Sequence, residues 1–100
     1  MDSLESLLYG ILNNNYATAE KVGRDVVNDY TIDTCYTADA GWETAVWYKN
    51  FPMIIVARYP DKESAEQGHK EWVDTCTTNR PTHAFSVQTD RIESFYVEKN

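Results

Sequence analysis

The sequence predicts an α+β domain: a small antiparallel β-sheet, wound as a meander, with one or two helices packed on it. Three observations point there. Short runs rich in β-branched and aromatic residues recur between residues 21 and 59, each bounded by turn residues. Two other stretches carry apolar residues at helical spacing, Leu4-Leu7-Leu8-Ile11-Leu12 and Ala65-His69-Trp72-Val73-Cys76. A chain of 100 residues supplies one core and no second, and no repeat, low-complexity tract or linker divides it, so residues 1–100 are read as a single domain.

In order, residues 1–14 form a short amphipathic helix, capped by Asp2 or Ser3 and ended by Asn13-Asn14-Asn15. Its leucine stripe must bury against the domain or against a partner. Residues 16–30 fit either helix or strand; the valines flanking Gly23 favour a strand near Lys21–Val27, turned by Asn28-Asp29. Thr31–Tyr36 is a β-branched and aromatic strand, Ala38–Gly41 a loop, and Trp42–Lys49 and Met53–Tyr59 two further strands joined tightly through Asn50-Phe51-Pro52. A helix begins at Pro60-Asp61, with Asp61 as cap and Glu63 in the first turn, and is stopped by Thr77–Pro81. Residues 82–98 then hold two short alternating strands, Ala84–Gln88 and Ile92–Val97, the last with Phe95 and Val97 on one face.

Composition excludes several function classes. Nine basic against 16 acidic residues leave a net charge of −7, which disfavours non-specific binding to nucleic acid or to an anionic membrane. No acidic residue adjoins another, so this is a solvated acidic surface rather than the dense charge line of a nucleic-acid mimic. The longest apolar run is Met53–Ala57, too short to span a bilayer. The start Met1-Asp2-Ser3-Leu4-Glu5 lacks the positive region of a signal peptide, and Cys35 and Cys76 read as free thiols in a reducing cytoplasm. Without C-x-x-C or H-x₃-H spacing, no structural zinc and no cofactor is expected.

Among residues that can carry chemistry, His69 stands out. It lies on the apolar face of the second helix, directly after Gly68, and a glycine inside a helix costs about 1 kcal/mol relative to alanine. Such a glycine admits a strand, an aromatic ring or a ligand close to the helix. His69 is then either a core histidine bonded to a carboxylate or carbonyl, or a general acid/base at the floor of a pocket. Glu43, on a strand apolar on both faces, needs a partner, and either His69 or Arg58 would serve. Asp33, Asp39 and Glu43 are the carboxylates that can converge on a cation, although the loose spacing favours no metal site. Cys35 with His69 as its base is a further, weaker pairing. The candidate catalytic residues are therefore His69, Glu43 and Asp39. The candidate ligand-binding residues are Arg58, Tyr59, His69 and Trp47, with Arg58 placed for phosphate.

Ile32-Asp33-Thr34-Cys35, Glu43-Thr44-Ala45-Val46, Arg58-Tyr59 and Ala65-Glu66-Gln67-Gly68-His69 followed by Trp72-Val73 occur in that order. In order and spacing this resembles a widespread family of small tailed-bacteriophage proteins, over about half of the chain, Arg24 to Cys76. The chain departs from that pattern in its short Thr37–Gly41 loop, its N-terminal helix and its tail from Arg80. The resemblance implies an accessory protein made inside an infected bacterium, and implies a source rather than a mechanism.

Three functions follow as expectations. The favoured one is a non-enzymatic binder that inhibits a host or defence protein, or sequesters a small nucleotide; surplus aromatics and weak catalytic signals fit it. The second is a small hydrolase or phosphodiesterase built on His69 and Glu43. The third is a structural homo-oligomer joined through the N-terminal helix.

Overall fold

The computed structural model of the chain describes residues 20–98. The leucine-striped helix predicted over residues 1–14, and any oligomer built on it, lie outside the described residues. Four strands, β1 (Glu20–Val27), β2 (Tyr30–Thr37), β3 (Gly41–Tyr48) and β4 (Ile54–Tyr59), form an antiparallel sheet in the order β1-β2-β3-β4. Helix α1 (Lys62–Thr78) lies across all four, and a hairpin of β5 (His83–Ser86) and β6 (Arg91–Ser94) follows. The fold is α+β, with a meander sheet.

The turns explain the meander. Asn28 and Asp29 both have positive φ, 51° and 72°, the two-residue turn whose twist matches that of paired strands. This turn settles the ambiguous stretch before it as strand. Between β2 and β3 the chain turns over Ala38-Asp39-Ala40 and re-enters the ladder at Gly41, whose φ of 75° suits glycine. The β3–β4 connection is longer than the tight link predicted, running over residues 49–53. Lys49 is left-handed, with φ 51°, and Pro52 has no N–H with which to extend the ladder. Lys49 N–H donates to Asp29 O at 2.8 Å, tying the two turns together.

Helix α1 starts where Asp61 Oδ1 accepts from Ser64 N–H at 2.8 Å. Its last turn holds no basic residue. Its C-terminal carbonyls are met from outside, by Asn28 Nδ2 donating to Cys76 O at 3.1 Å and to Thr77 O at 3.2 Å. Between helix and sheet lies the main core of Tyr30, Ile32, Val46, Tyr48, Ile54, Val56, Cys76 and Phe95. The opposite face buries Cys35, Ala45, Trp47 and Ile55, against which Met53 and Val87 pack. Strand β3 is thus covered on both faces, as its apolar residues on both sides predict.

The C-terminal strands are shorter than predicted. The Ser86 hydroxyl accepts from the N–H groups of Gln88 and Thr89, bending the chain out of β5. Tyr96, with φ 60°, ends the extended run after β6. Phe95 and Val97 nevertheless both pack on the main core.

Candidate functional site

The chemistry gathers between α1 and the sheet. His69, 7% exposed, sits among one residue from each of several strands. Its Nε2 lies 2.7 Å from Asp25 Oδ2 on β1, and its Nδ1 lies 2.7 Å from Thr34 Oγ1 on β2. Thr34 Oγ1 is 2.6 Å from Thr44 Oγ1 on β3, and Thr44 Oγ1 is 3.0 Å from the hydroxyl of Tyr59 at the end of β4. One continuous chain of side chains, Asp25–His69–Thr34–Thr44–Tyr59, therefore crosses the whole sheet beneath the helix. Thr34 and Thr44 are fully buried, and the chain gives each hydroxyl a partner on both sides. Only the ends reach solvent: the Asp25 side chain is 55% exposed, and Tyr59 is half-buried. Burial pushes the Tyr59 hydroxyl pKa up from 10.0; the bond to Thr44 opposes that shift and the charge of Glu71 adds to it.

Two glycines make the chain possible. A Cβ on Gly68 would fall 2.3 Å from Cε1 and the hydroxyl oxygen of Tyr59, so the helix admits that ring only because residue 68 has no side chain. The close neighbour is an aromatic ring, one of the partners the sequence allowed. A Cβ on Gly23 would stand 3.1 Å from His69 Nε2. Beside His69 an open groove of about 350 Å³ is walled by Val22, Glu66 and Lys70.

The other face of the sheet carries ion pairs of its own. Asp33 is fully buried and receives Lys21 Nζ at 2.6 Å and Arg24 at 3.2 Å. A bulge between Lys21 and Gly23 reverses the side-chain alternation of β1, which brings Lys21 to this face beside Arg24. Arg24 also lies over the Trp47 ring, 5.5 Å from its centroid. Arg58 Nε donates to Glu43 Oε2 at 2.7 Å.

The structure divides the predicted site residues between the two faces of the sheet. Of Glu43's two candidate partners the structure selects Arg58, and the carboxylate on His69 belongs to Asp25. Trp47 and Arg58 lie on the face opposite His69 and Tyr59, so the four predicted ligand-binding residues do not line one pocket. Cys35 follows Thr34 on the strand and points away from His69. Asp39 sits in the exposed β2–β3 turn, and among the described residues no three His, Cys, Asp or Glu side chains gather around one point in metal-binding geometry. The sequence reading missed Asp25, Thr34, Thr44 and Gly23. The usable signal was Thr44, which shares a strand face with Val46 and Tyr48; a threonine on a buried face calls for a hydrogen-bond partner.

Asp25, His69 and Thr34 have the connectivity of a carboxylate–imidazole–hydroxyl triad. The Thr34 oxygen is wholly enclosed, however, and its remaining side is occupied by Thr44. No substrate carbon can approach it in this arrangement. The chain can hold and reorient protons and can fix the helix on the sheet. Comparison with protein-family models, with curated proteins and with solved structures finds no match for this chain.

Proposed function

We propose that the protein is a non-enzymatic binder, an accessory phage protein that docks a host or defence protein inside the infected bacterium through the apolar end of the molecule. The carrying observation is a contiguous set of exposed large apolar side chains on the β3–β4 loop and the β5–β6 hairpin. Phe51 stacks on Tyr96 with ring centroids 5.4 Å apart, and Phe85 stands across from Ile92 in the hairpin ladder. Ile92 is 63% exposed, and with Pro52, Ile54 and Tyr96 it lines an open groove of about 400 Å³. Exposed apolar side chains in one place, here with Arg91 and Glu93 lining the same groove, mark interaction surfaces, and aromatic anchors dominate their energetics. The enclosed Thr34 hydroxyl supports binding over turnover. The placement of Trp47 and Arg58 on the face opposite His69 favours a protein partner over a small nucleotide.

The test is affinity purification from host cells of wild type, Ile92→Asp and Phe85→Ser, with native mass spectrometry of each eluate. The reading expects a stoichiometric host protein with wild type, lost in both variants at unchanged thermal stability. A partner retained equally by both variants places the interface elsewhere and overturns it. A homodimer that the variants disrupt, with no host protein, replaces it with self-assembly through the same end.

A further inference from the structure

We propose that Asp25, His69, Thr34, Thr44 and Tyr59 form a proton-coupled relay in which the three hydrogen bonds from His69 to Tyr59 reverse when His69 takes up a proton, turning the Tyr59 hydroxyl from an inward into an outward donor while Asp25 accepts from His69 throughout. The direction of each bond follows from counting protons. An ionised Asp25 carboxylate only accepts, so neutral His69 must carry its proton on Nε2, 2.7 Å away. Its Nδ1 is then an acceptor, and Thr34 must donate to it. Thr34 has one proton, so the 2.6 Å contact to Thr44 is filled by the proton of Thr44. Thr44 has then spent its only proton, and the 3.0 Å contact to Tyr59 is filled by the phenol. Every bond is fixed by the one before it, and Tyr59 donates inward.

Protonation of His69 inverts the sequence. Nδ1 takes the proton of Thr34 and donates it back to that oxygen; Thr34 takes the proton of Thr44, Thr44 takes that of Tyr59, and the phenol is resupplied from solvent with an outward O–H. One proton enters, each hydroxyl gives one up and receives one, and no bond between heavy atoms breaks. The groups that face the relay fit this exchange. Asp25 on β1 stabilises the imidazolium, and Glu66 and Lys70 of α1 wall the groove beside it. Glu20 and Lys62 neutralise each other at the same β1–α1 edge, 2.5 Å apart. At the far end the charge of Glu71 is felt at Tyr59 and favours an outward-pointing O–H. The coupling is reciprocal: a group that accepts from Tyr59 at the β4 edge favours the proton on His69 at the β1 edge.

The test is NMR of the whole chain carrying ¹⁵N-histidine and ¹³Cζ-tyrosine, titrated from about pH 8 to about pH 5, where imidazoles ordinarily change charge. The relay requires the Nε2–H tautomer of His69 at the alkaline end. It also requires a Tyr59 ¹³Cζ shift with the same midpoint as His69, carried along the hydrogen bonds through Thr34 and Thr44. In Thr44→Val the His69 titration must persist and the Tyr59 response must vanish; in Thr44→Ser both must remain. An Nδ1–H tautomer, a His69 that does not titrate, a separate Tyr59 midpoint, or a response surviving in Thr44→Val each overturns the proposal. The tautomer and the shared midpoint are read on the unaltered protein, so an unstable variant does not shield it.

Discussion

Replacing Gly68 by alanine tests the close approach of the Tyr59 ring to α1, and its sign is set by two opposed effects. Alanine is the better helix former by about 1 kcal/mol, so in an open helix Gly68→Ala would stabilise. Here the new Cβ falls 2.3 Å from Cε1 and 2.4 Å from Cζ of Tyr59, where carbon atoms settle at about 3.5–4.0 Å. The ring must retreat by more than about 1 Å, and its hydroxyl is held 3.0 Å from Thr44. Overpacking of this kind costs about 1–3 kcal/mol. Drawing the phenol away from the buried Thr44 hydroxyl forfeits a hydrogen bond worth about 1 kcal/mol. The net expectation is a loss of about 1–3 kcal/mol, each kcal/mol lowering Tm by about 4–8 °C in a domain of this size. Urea and thermal unfolding of four proteins, wild type, Gly68→Ala, Tyr59→Ala and the double variant, close the cycle. In the Tyr59→Ala background the clash is gone and Gly68→Ala should stabilise by about 1 kcal/mol. A Gly68→Ala variant more stable than wild type, or one with the same effect in both backgrounds, would refute the reasoning.

Asn28 both holds a left-handed turn and donates to the last carbonyls of α1, and two variants separate the roles. Asn28→Gly keeps the backbone and should lose about 1 kcal/mol of urea stability; Asn28→Ala should lose about 1 kcal/mol more, and equal losses would remove the backbone contribution. Burial pushes the Cys76 thiol from 9.0 up to about 12, and burial with the adjacent Cys76 raises Tyr30 from 10.0 to about 12. The folded state holds both protons more tightly than the unfolded chain, so this stability is complete below about pH 9 and is lost as pH climbs towards about 12. A urea midpoint that does not fall between about pH 8 and about pH 11 would contradict it. The same burial shields Cys76 from thiol reagents, and peptide mapping should find it labelled only once denaturant unfolds the chain; labelling at the same rate without denaturant would show that it is reached in the native state.

The fold was legible where local chemistry decides it. The pair Asn28-Asp29 specifies a hairpin, Asp61 specifies a helix start, and the both-sided apolar pattern of Trp42–Lys49 specifies an inner strand. The site was legible in one residue and obscure in its neighbours. Helical spacing put His69 on the inward face of α1, but the same both-sided pattern concealed which sheet face that helix covers. Trp47 and Arg58 were therefore grouped with His69 although Thr34 and Thr44 define the covered face. Asp25 was hidden for a second reason. It meets His69 across 44 positions of chain, and a bulge two residues before it resets the alternation of β1. Periodicity read along one segment carries no register between segments.

The polar chain also explains how one helix finds a single seat on a sheet whose covered face is largely apolar. Apolar burial is non-directional, so it does not by itself fix where along the sheet the helix sits. A slide of one turn, about 5.4 Å, would carry His69 away from both Asp25 and Thr34, leaving a buried imidazole without its partners and Thr34 bonded to Thr44 alone. It would also remove Gly68 from Tyr59 and drive a neighbouring side chain into that ring. Each such loss costs about 1–3 kcal/mol, which is large against the stability of a small domain. The residues that fix the helix are thus the ones that carry the relay. Loss of stability on their substitution therefore reports only the first role, and the tautomer of His69 and the response of Tyr59 report the second.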